Sequence, residues 1–329
     1  GGGTALTSAC LRKHGSRPKW VLSSLQLLGG AAGACLGPLL QAFWSANGMS
    51  RAEIGLLTLG CALSTLAGQL CLWSVAAARQ DCKGTMIAMG FLGTLVSMLN
   101  LLPTIQRSFG GLMTVSCLAH ACLGPIHSVV DLPACLSASR ADAEGDEDDL
   151  GEVRAWGALG AAVASLAAGL AIDRMGGFDY LFYLLVTLES TYVTACLIFL
   201  PETGEGESLA PFPLRTLLSS AGLWLLSGLL VQGAAASLLE AFPLVFLLED
   251  FGNPPKLLLG ASAATACLFQ APAFGRVGAL WADRPARLPA AVLACQLLLA
   301  LRCFLYAWLP ASAPWLVLAV EPVHGLASA

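Results

Sequence analysis

From residue 20 to its end the chain alternates long apolar stretches with short polar breaks, and the stretches are too long for the strands of a soluble domain. The first, Trp20–Trp44, holds about 25 residues, enough at 1.5 Å per residue to cross a hydrocarbon core roughly 30 Å thick. Further spans read as Glu53–Ala78, Thr85–Leu102, Gly110–Leu136, Val153–Ile172 and Tyr180–Leu200. After a polar connector come Thr216–Leu239, Leu257–Ala282, Leu288–Leu309 and a stretch that starts at Trp315 and is cut short at Ala329. The pattern predicts an all-α polytopic membrane protein with nine full spans and part of a tenth. Its expected units are a cytosolic N-terminal segment over 1–19, a six-helix half over 20–200, a central cytosolic connector over 201–215 and an incomplete second half over 216–329.

Small residues mark where helices should touch. Gly29, Gly33 and Gly37 recur at every fourth position of span one and are expected to line one packing face, with Pro38 kinking the outer end. Gly157, Gly160, Ala164 and Ala168 make a similar face on span five. Just before it lies an acidic cytosolic loop over 139–152, whose run Asp142–Asp149 buries no apolar area and is expected to be solvated. Charge gives way to apolarity at Gly151-Glu152-Val153-Arg154-Ala155-Trp156. Arg154 can reach the headgroups there and Trp156 can sit at the interface. Prolines 125 and 133 are expected to interrupt span four.

Composition sharpens the class. Apolar residues make up 57% of the chain, charged residues 12%, and the mean hydropathy is +0.74, against about 25% charged residues in soluble domains. The net charge of -4 comes largely from the acidic run, and no basic patch with interleaved aromatics points to nucleic acid. The twelve cysteines lie mostly inside spans without paired ligand spacing, so they read as small packing residues rather than disulfides or a metal site. With the N-terminus cytosolic, eleven of the seventeen basic residues fall on the cytosolic side, against Arg51, Arg107, Arg174 and Lys256 opposite. Positive charge on the inside supports that orientation.

Ionisable groups at membrane depth are costly and are therefore candidate functional groups. Glu189 lies near the centre of span six and Arg302 well inside span nine, while Glu321 and His324 lie three residues apart in span ten. Arg302 precedes the loop at 310–314 by about as many residues as Glu321 follows it, so at 1.5 Å per residue the two lie at similar depth on antiparallel neighbours and can meet. Such a pair is either a proton-coupling device or a structural ion pair. In span four, His120, His127 and Asp131 share one helical face and either line a solute cavity or are satisfied by packing.

Several of these segments resemble the major facilitator superfamily, in the branch of lactose-permease-like and nucleoside proton symporters. Arg154-x-Trp156-Gly157-x-x-Gly160 is similar to the cytosolic start of that branch's fifth helix, and Gly48-x-Ser50-x-x-x-Ile54-Gly55 to its lead into helix two. Ala279-Leu280-Trp281-Ala282-Asp283-Arg284-Pro285-Ala286-Arg287 resembles the family's loop motif, with alanines for its glycines. The loop six helices earlier keeps Arg79 but has Ala78 in place of the acid. The resemblance implies two related halves and a gating role for Asp283, Arg284, Arg287 and Arg79. It also implies proton coupling through Arg302, Glu321, His324 and Glu189. Without it, the loop charges read as residues that obey topology.

No phosphate-binding loop, nucleophile elbow or metalloprotease helix occurs in the chain, so neither ATP-driven transport nor an enzyme is supported. No cofactor or metal is implied. The expected function is a secondary active transporter that moves a small polar solute, together with protons, by alternating access within a lipid bilayer. The alternative is a non-transporting receptor or scaffold on the same fold.

Overall fold

An apolar chain in a bilayer must pair its own peptide groups, and helices do so within each segment. The computed structural model describes residues 19–79, 82–141, 149–199, 219–220, 223, 227–228, 233, 240, 242–252, 254–282 and 288–328. Of these, the side chains of 19, 73, 76–79, 82, 128–141, 149–150, 275–282 and 288–289 are outside the description. The described residues are all α, with two short 3-10 turns. The helices are α1 (Lys19–Leu36), α2 (Pro38–Ala46), α3 (Arg51–Arg79), α4 (Cys82–Met98), α5 (Pro103–Gln106), α6 (Phe109–Ala141), α7 (Asp149–Met175), α8 (Asp179–Phe199), α9 (Pro243–Asp250), α10 (Lys256–Ala282), α11 (Leu288–Ala307) and α12 (Val317–Ser328). Among the described residues eight segments are long and apolar enough to cross a membrane. The expected span over 216–239 falls mostly outside the description, as do the N-terminal segment, the acidic run over 142–148 and the connector.

Three boundaries differ from expectation. The first span breaks into α1 and α2 at Gly37, because Pro38 has no N–H to continue the ladder and starts a new helix at its first position. Residues 139–141 end α6 and 149–152 begin α7, so helix extends into both ends of the polar stretch. Asp149 and Glu152 fall in the first turn of α7, where acids favour a helix N-terminus. Prolines 125 and 133 do not interrupt α6. Pro125 leaves the carbonyl of Ala121 without its intrahelical donor, and Gly68 of α3 packs against that oxygen, so close that a Cβ there would lie 1.9 Å from it. A neighbouring glycine backbone thus covers the freed group.

The same kind of contact joins the longer helices, and α7 is at their centre. On one side it packs on α1, where a Cβ at Gly160 would fall 1.9 Å from the Leu27 carbonyl oxygen and one at Gly30 would fall 2.0 Å from the Gly157 oxygen. On the other side it packs on α10, with Gly169 set against Gly260. Outward faces carry apolar stripes. Leu56, Leu59, Leu63, Leu66 and Leu70 recur every three or four residues along α3, and Leu293, Leu297, Leu301, Phe304 and Trp308 do so along α11 and just past its end. All are exposed on the protein surface, as a lipid-facing helix requires.

The contact at Gly160 is testable. Gly160→Ala should lower the melting temperature of detergent-purified protein by an amount equivalent to about 1–3 kcal/mol of overpacking. Gly177→Ala, where a Cβ meets nothing within 4 Å, should stay within about 0.5 kcal/mol of the parent. Equal melting temperatures for the two variants would contradict the close α1–α7 approach.

Candidate functional site: two polar clusters lining adjoining cavities

The short connection after α11 turns the chain back at once, so α11 and α12 run antiparallel and bring their ionisable residues to one depth. Arg302 Nη2 donates to Glu321 Oε2 at 3.1 Å and lies 3.3 Å from Oε1. The side chains are 5% and 2% exposed. One turn after Arg302, Tyr306 places its ring under the guanidinium, 5.3 Å from Cζ to the ring centroid, and donates its hydroxyl proton to Glu321 Oε1. Ser262 Oγ, from α10, donates to the same oxygen at 2.9 Å. A lone charge at this depth costs about 2.5–3.5 kcal/mol on insertion scales. Here the carboxylate has one cationic and two neutral donors, which offset its loss of water.

A cavity of about 190 Å³ opens beside this cluster. Arg302, Glu321, His324, Ser262, Gln270 and Glu240 line it from the later helices, and Ala34, Pro38, Ala161 and Ser165 line it from the earlier ones. His324 Nδ1 lies 3.3 Å from Ser328 Oγ, one turn along α12. α12 runs through Pro322 without a break, so Glu321 and His324 keep nearby positions and face one cavity.

The second cluster lies on the earlier helices. His127 Nε2 lies 2.9 Å from Glu189 Oε1. The Tyr192 ring stacks on the imidazole at 5.3 Å between centroids and 6° between planes. His127 and Tyr192 line a cavity of about 420 Å³ together with Gln26, Arg154, Gly157 and Phe274. Ala161 and Gln270 line both cavities, so the two adjoin at that level.

Other candidates separate from these clusters. His120 Nδ1 donates to the Ser116 carbonyl of its own helix at 2.8 Å and is absent from both cavity linings, which is the packing alternative. The side chains of Asp131 and Arg79 lie outside the described residues, and so do Asp283, Arg284 and Arg287. Trp156 is exposed on α7 while Gly157 and Gly160 pack inward. Sequence reasoning passed over Tyr192, Tyr306, Ser262, Gln26 and Gln270. A signal existed for the tyrosines, each one turn from a buried charge: Glu189-x-x-Tyr192 and Arg302-x-x-x-Tyr306.

At one end, polar contacts join α2 and the start of α3 to α9. Arg51 Nε donates to Glu249 Oε2 at 2.7 Å and its Nη2 donates to Asp250 Oδ2 at 2.9 Å, while Ser45 Oγ donates to Glu249 Oε1 at 2.9 Å. Nearby, Asp173 Oδ1 accepts from the Lys256 backbone N–H at 2.9 Å. Beneath these contacts, Leu39, Trp44, Ile54 and Phe182 pack with Leu244, Leu247, Leu258 and Val317 in one buried apolar cluster.

The MFS_1 like family matches over residues 19–329. A crystal structure of nucleoside transporter NupG is similar with a TM-score of 0.68 and 15% identity, covering 94% of this chain and 78% of that one. A single-substitution mutant of NupG gives 0.67 and 17%, covering 94% and 79%. No curated protein sequence matches.

The Arg302–Glu321 contact predicts a stability pattern. Arg302→Ala leaves a buried carboxylate and should destabilise by about 3–5 kcal/mol. Arg302→Ala combined with Glu321→Gln should regain much of that loss. Thermal unfolding of purified protein reads both, and a double variant no more stable than Arg302→Ala would contradict the pairing.

Proposed function

The chain belongs to the MFS_1 like family, and from that premise we propose that it is a transporter that carries a small polar solute through a cavity between two helical halves, coupled to protons at Arg302 and Glu321. The observation that carries this reading is the buried Arg302–Glu321 pair, set against a cavity that helices from both parts of the chain line. A packed structural pair has no use for a cavity. A group that must gain and lose a proton from one side of the membrane at a time does.

The halves comprise residues 20–200 and 216–329, joined by the connector. Their N-terminal side is cytosolic, as the basic-residue bias argues. In that orientation the Arg51–Glu249–Asp250 contacts close the outer end, and Arg154 stands toward the cytosolic end of the larger cavity. Solute binds near the midplane, and rocking of the halves exchanges one closed end for the other. Arg51 is about half exposed, and ion pairs of that kind are worth about 0–1 kcal/mol each, weak enough to open on every cycle. Asp283, Arg284, Arg287 and Arg79 are assigned to the opposite, cytosolic gate. Since the two crystal structures described above are of a nucleoside transporter, a nucleoside is the first solute to try.

The test is flux into proteoliposomes. With uridine as the first solute and an imposed pH gradient, the parent protein should accumulate it. Glu321→Gln, which mimics the protonated carboxyl, should lose accumulation yet retain exchange down a concentration gradient. Full accumulation by Glu321→Gln would rule out the coupling role.

A further inference from the structure

We propose that His127 and Glu189 form a second proton-binding site, in the earlier helices, and that Tyr192 and the glycine stripe of α1 position it. The chemistry starts with Glu189. Its side chain is 0% exposed, Oε1 meets His127 Nε2 at 2.9 Å, and Oε2 has no hydrogen-bond partner among the described residues. A buried carboxylate with half of its acceptor capacity unused is poorly compensated as a free anion.

Proton occupancy at one member of so close a pair depends on the other. With one proton held on the imidazole, facing the carboxylate, the pair is neutral overall. Release of that proton leaves a net negative charge in the protein interior, and a second proton leaves a net positive one. The neutral state is the one that a low-dielectric interior favours. His127 is 23% exposed and lines the 420 Å³ cavity, whereas Glu189 has no exposed surface, so solvent exchanges the proton through the imidazole.

Other charged and titratable groups surround the pair. Cys35 of α1 and Cys196 of α8 are charge neighbours of Glu189, the Lys83 cation of α4 is a charge neighbour of Cys196, and His120 of α6 is one of His127. Arg154 of α7 lines the same cavity. The residue that α10 adds to this lining beside Phe274, Gln270, does not titrate. The Arg302–Glu321 cluster lines the other cavity.

The geometry also gives the glycine stripe a purpose. Gly29 and Gly33, expected to let a helix approach, instead make a slot for the two rings. A Cβ on Gly29 would lie 3.2 Å from the Tyr192 ring, and one on Gly33 would lie 4.0 Å from His127 Cε1. Tyr192 is fully buried, and its hydroxyl reaches the Ile126 carbonyl at 3.4 Å. Held by the slot, Tyr192 presses flat on the imidazole and keeps Nε2 on the carboxylate. Tyr192 is a positioning residue, since it acts through His127.

The test needs neither a solute nor transport, so its failure is distinct from failure of the coupling proposed for Glu321. Diethyl pyrocarbonate modifies neutral imidazole, and mass spectrometry of the full chain in lipid nanodiscs reads the rate at His127. At pH 6 the parent should be protected, and Glu189→Gln should react at least tenfold faster. Tyr192→Phe keeps the stack and should behave as the parent, while Tyr192→Leu should lose protection. Glu321→Gln should leave the His127 profile unchanged. Equal rates in parent and Glu189→Gln would overturn the site, and a displaced profile in Glu321→Gln would show one coupled network instead of two sites.

Discussion

Helices in a bilayer gain nothing by hiding leucine from lipid, so they must hold together by close packing and by polar contacts. In this protein that constraint falls on α7. Glycines bring its backbone against α1 at Leu27 and Gly30 and against α10 at Gly260. Because α1 belongs to the first set of helices and α10 to the second, α7 sits at the seam between them. Where the contacts are backbone to backbone the seam is tight. Where Ala161 stands across from Gln270 the two cavities meet.

Charge placement follows from the same seam. Polar groups at this depth survive only beside partners or a water-filled space, and the seam supplies both. Arg302 pairs with Glu321, which also accepts from Tyr306 and Ser262, and His127 pairs with Glu189 beneath the stacked ring of Tyr192. Each cluster has a carboxylate, a basic partner and a tyrosine one turn from a charged member. Their bases differ: guanidinium stays charged at any physiological pH, whereas imidazole does not. A carboxylate beside arginine can change state only by its own protonation. One beside histidine can share its proton.

Much of this was legible from residue order. Long apolar runs set the helices, since length and composition suffice to identify a span, and depth counted from a short loop was enough to bring Arg302 to Glu321. Packing detail was less accessible. Gly29 and Gly33 looked like a helix-contact stripe, but among the glycines of α1 it is Gly30, outside that stripe, that comes closest to a neighbouring backbone, because which face meets a neighbour depends on the rotation of both helices. Pro125 looked like a break and is not one, because Gly68 covers the carbonyl it frees. The polar segment over 139–152 is helical at both ends, because acidic residues both solvate a loop and start a helix. Tyr192 and Tyr306 were overlooked because a buried tyrosine usually reads as apolar bulk. Ser262 and Gln270 come from a helix whose facing could not be known.

Transport by alternating access requires the two parts of the chain to separate at the Arg51 end in each turnover. Ser45 and Glu249 face one another there, 2.9 Å apart at their oxygens. With the native cysteines replaced by serine, Ser45→Cys and Glu249→Cys should form a disulfide under oxidation. Solute flux into proteoliposomes should then fall to the level of empty liposomes and return on reduction. Undiminished flux through fully cross-linked protein would contradict the account.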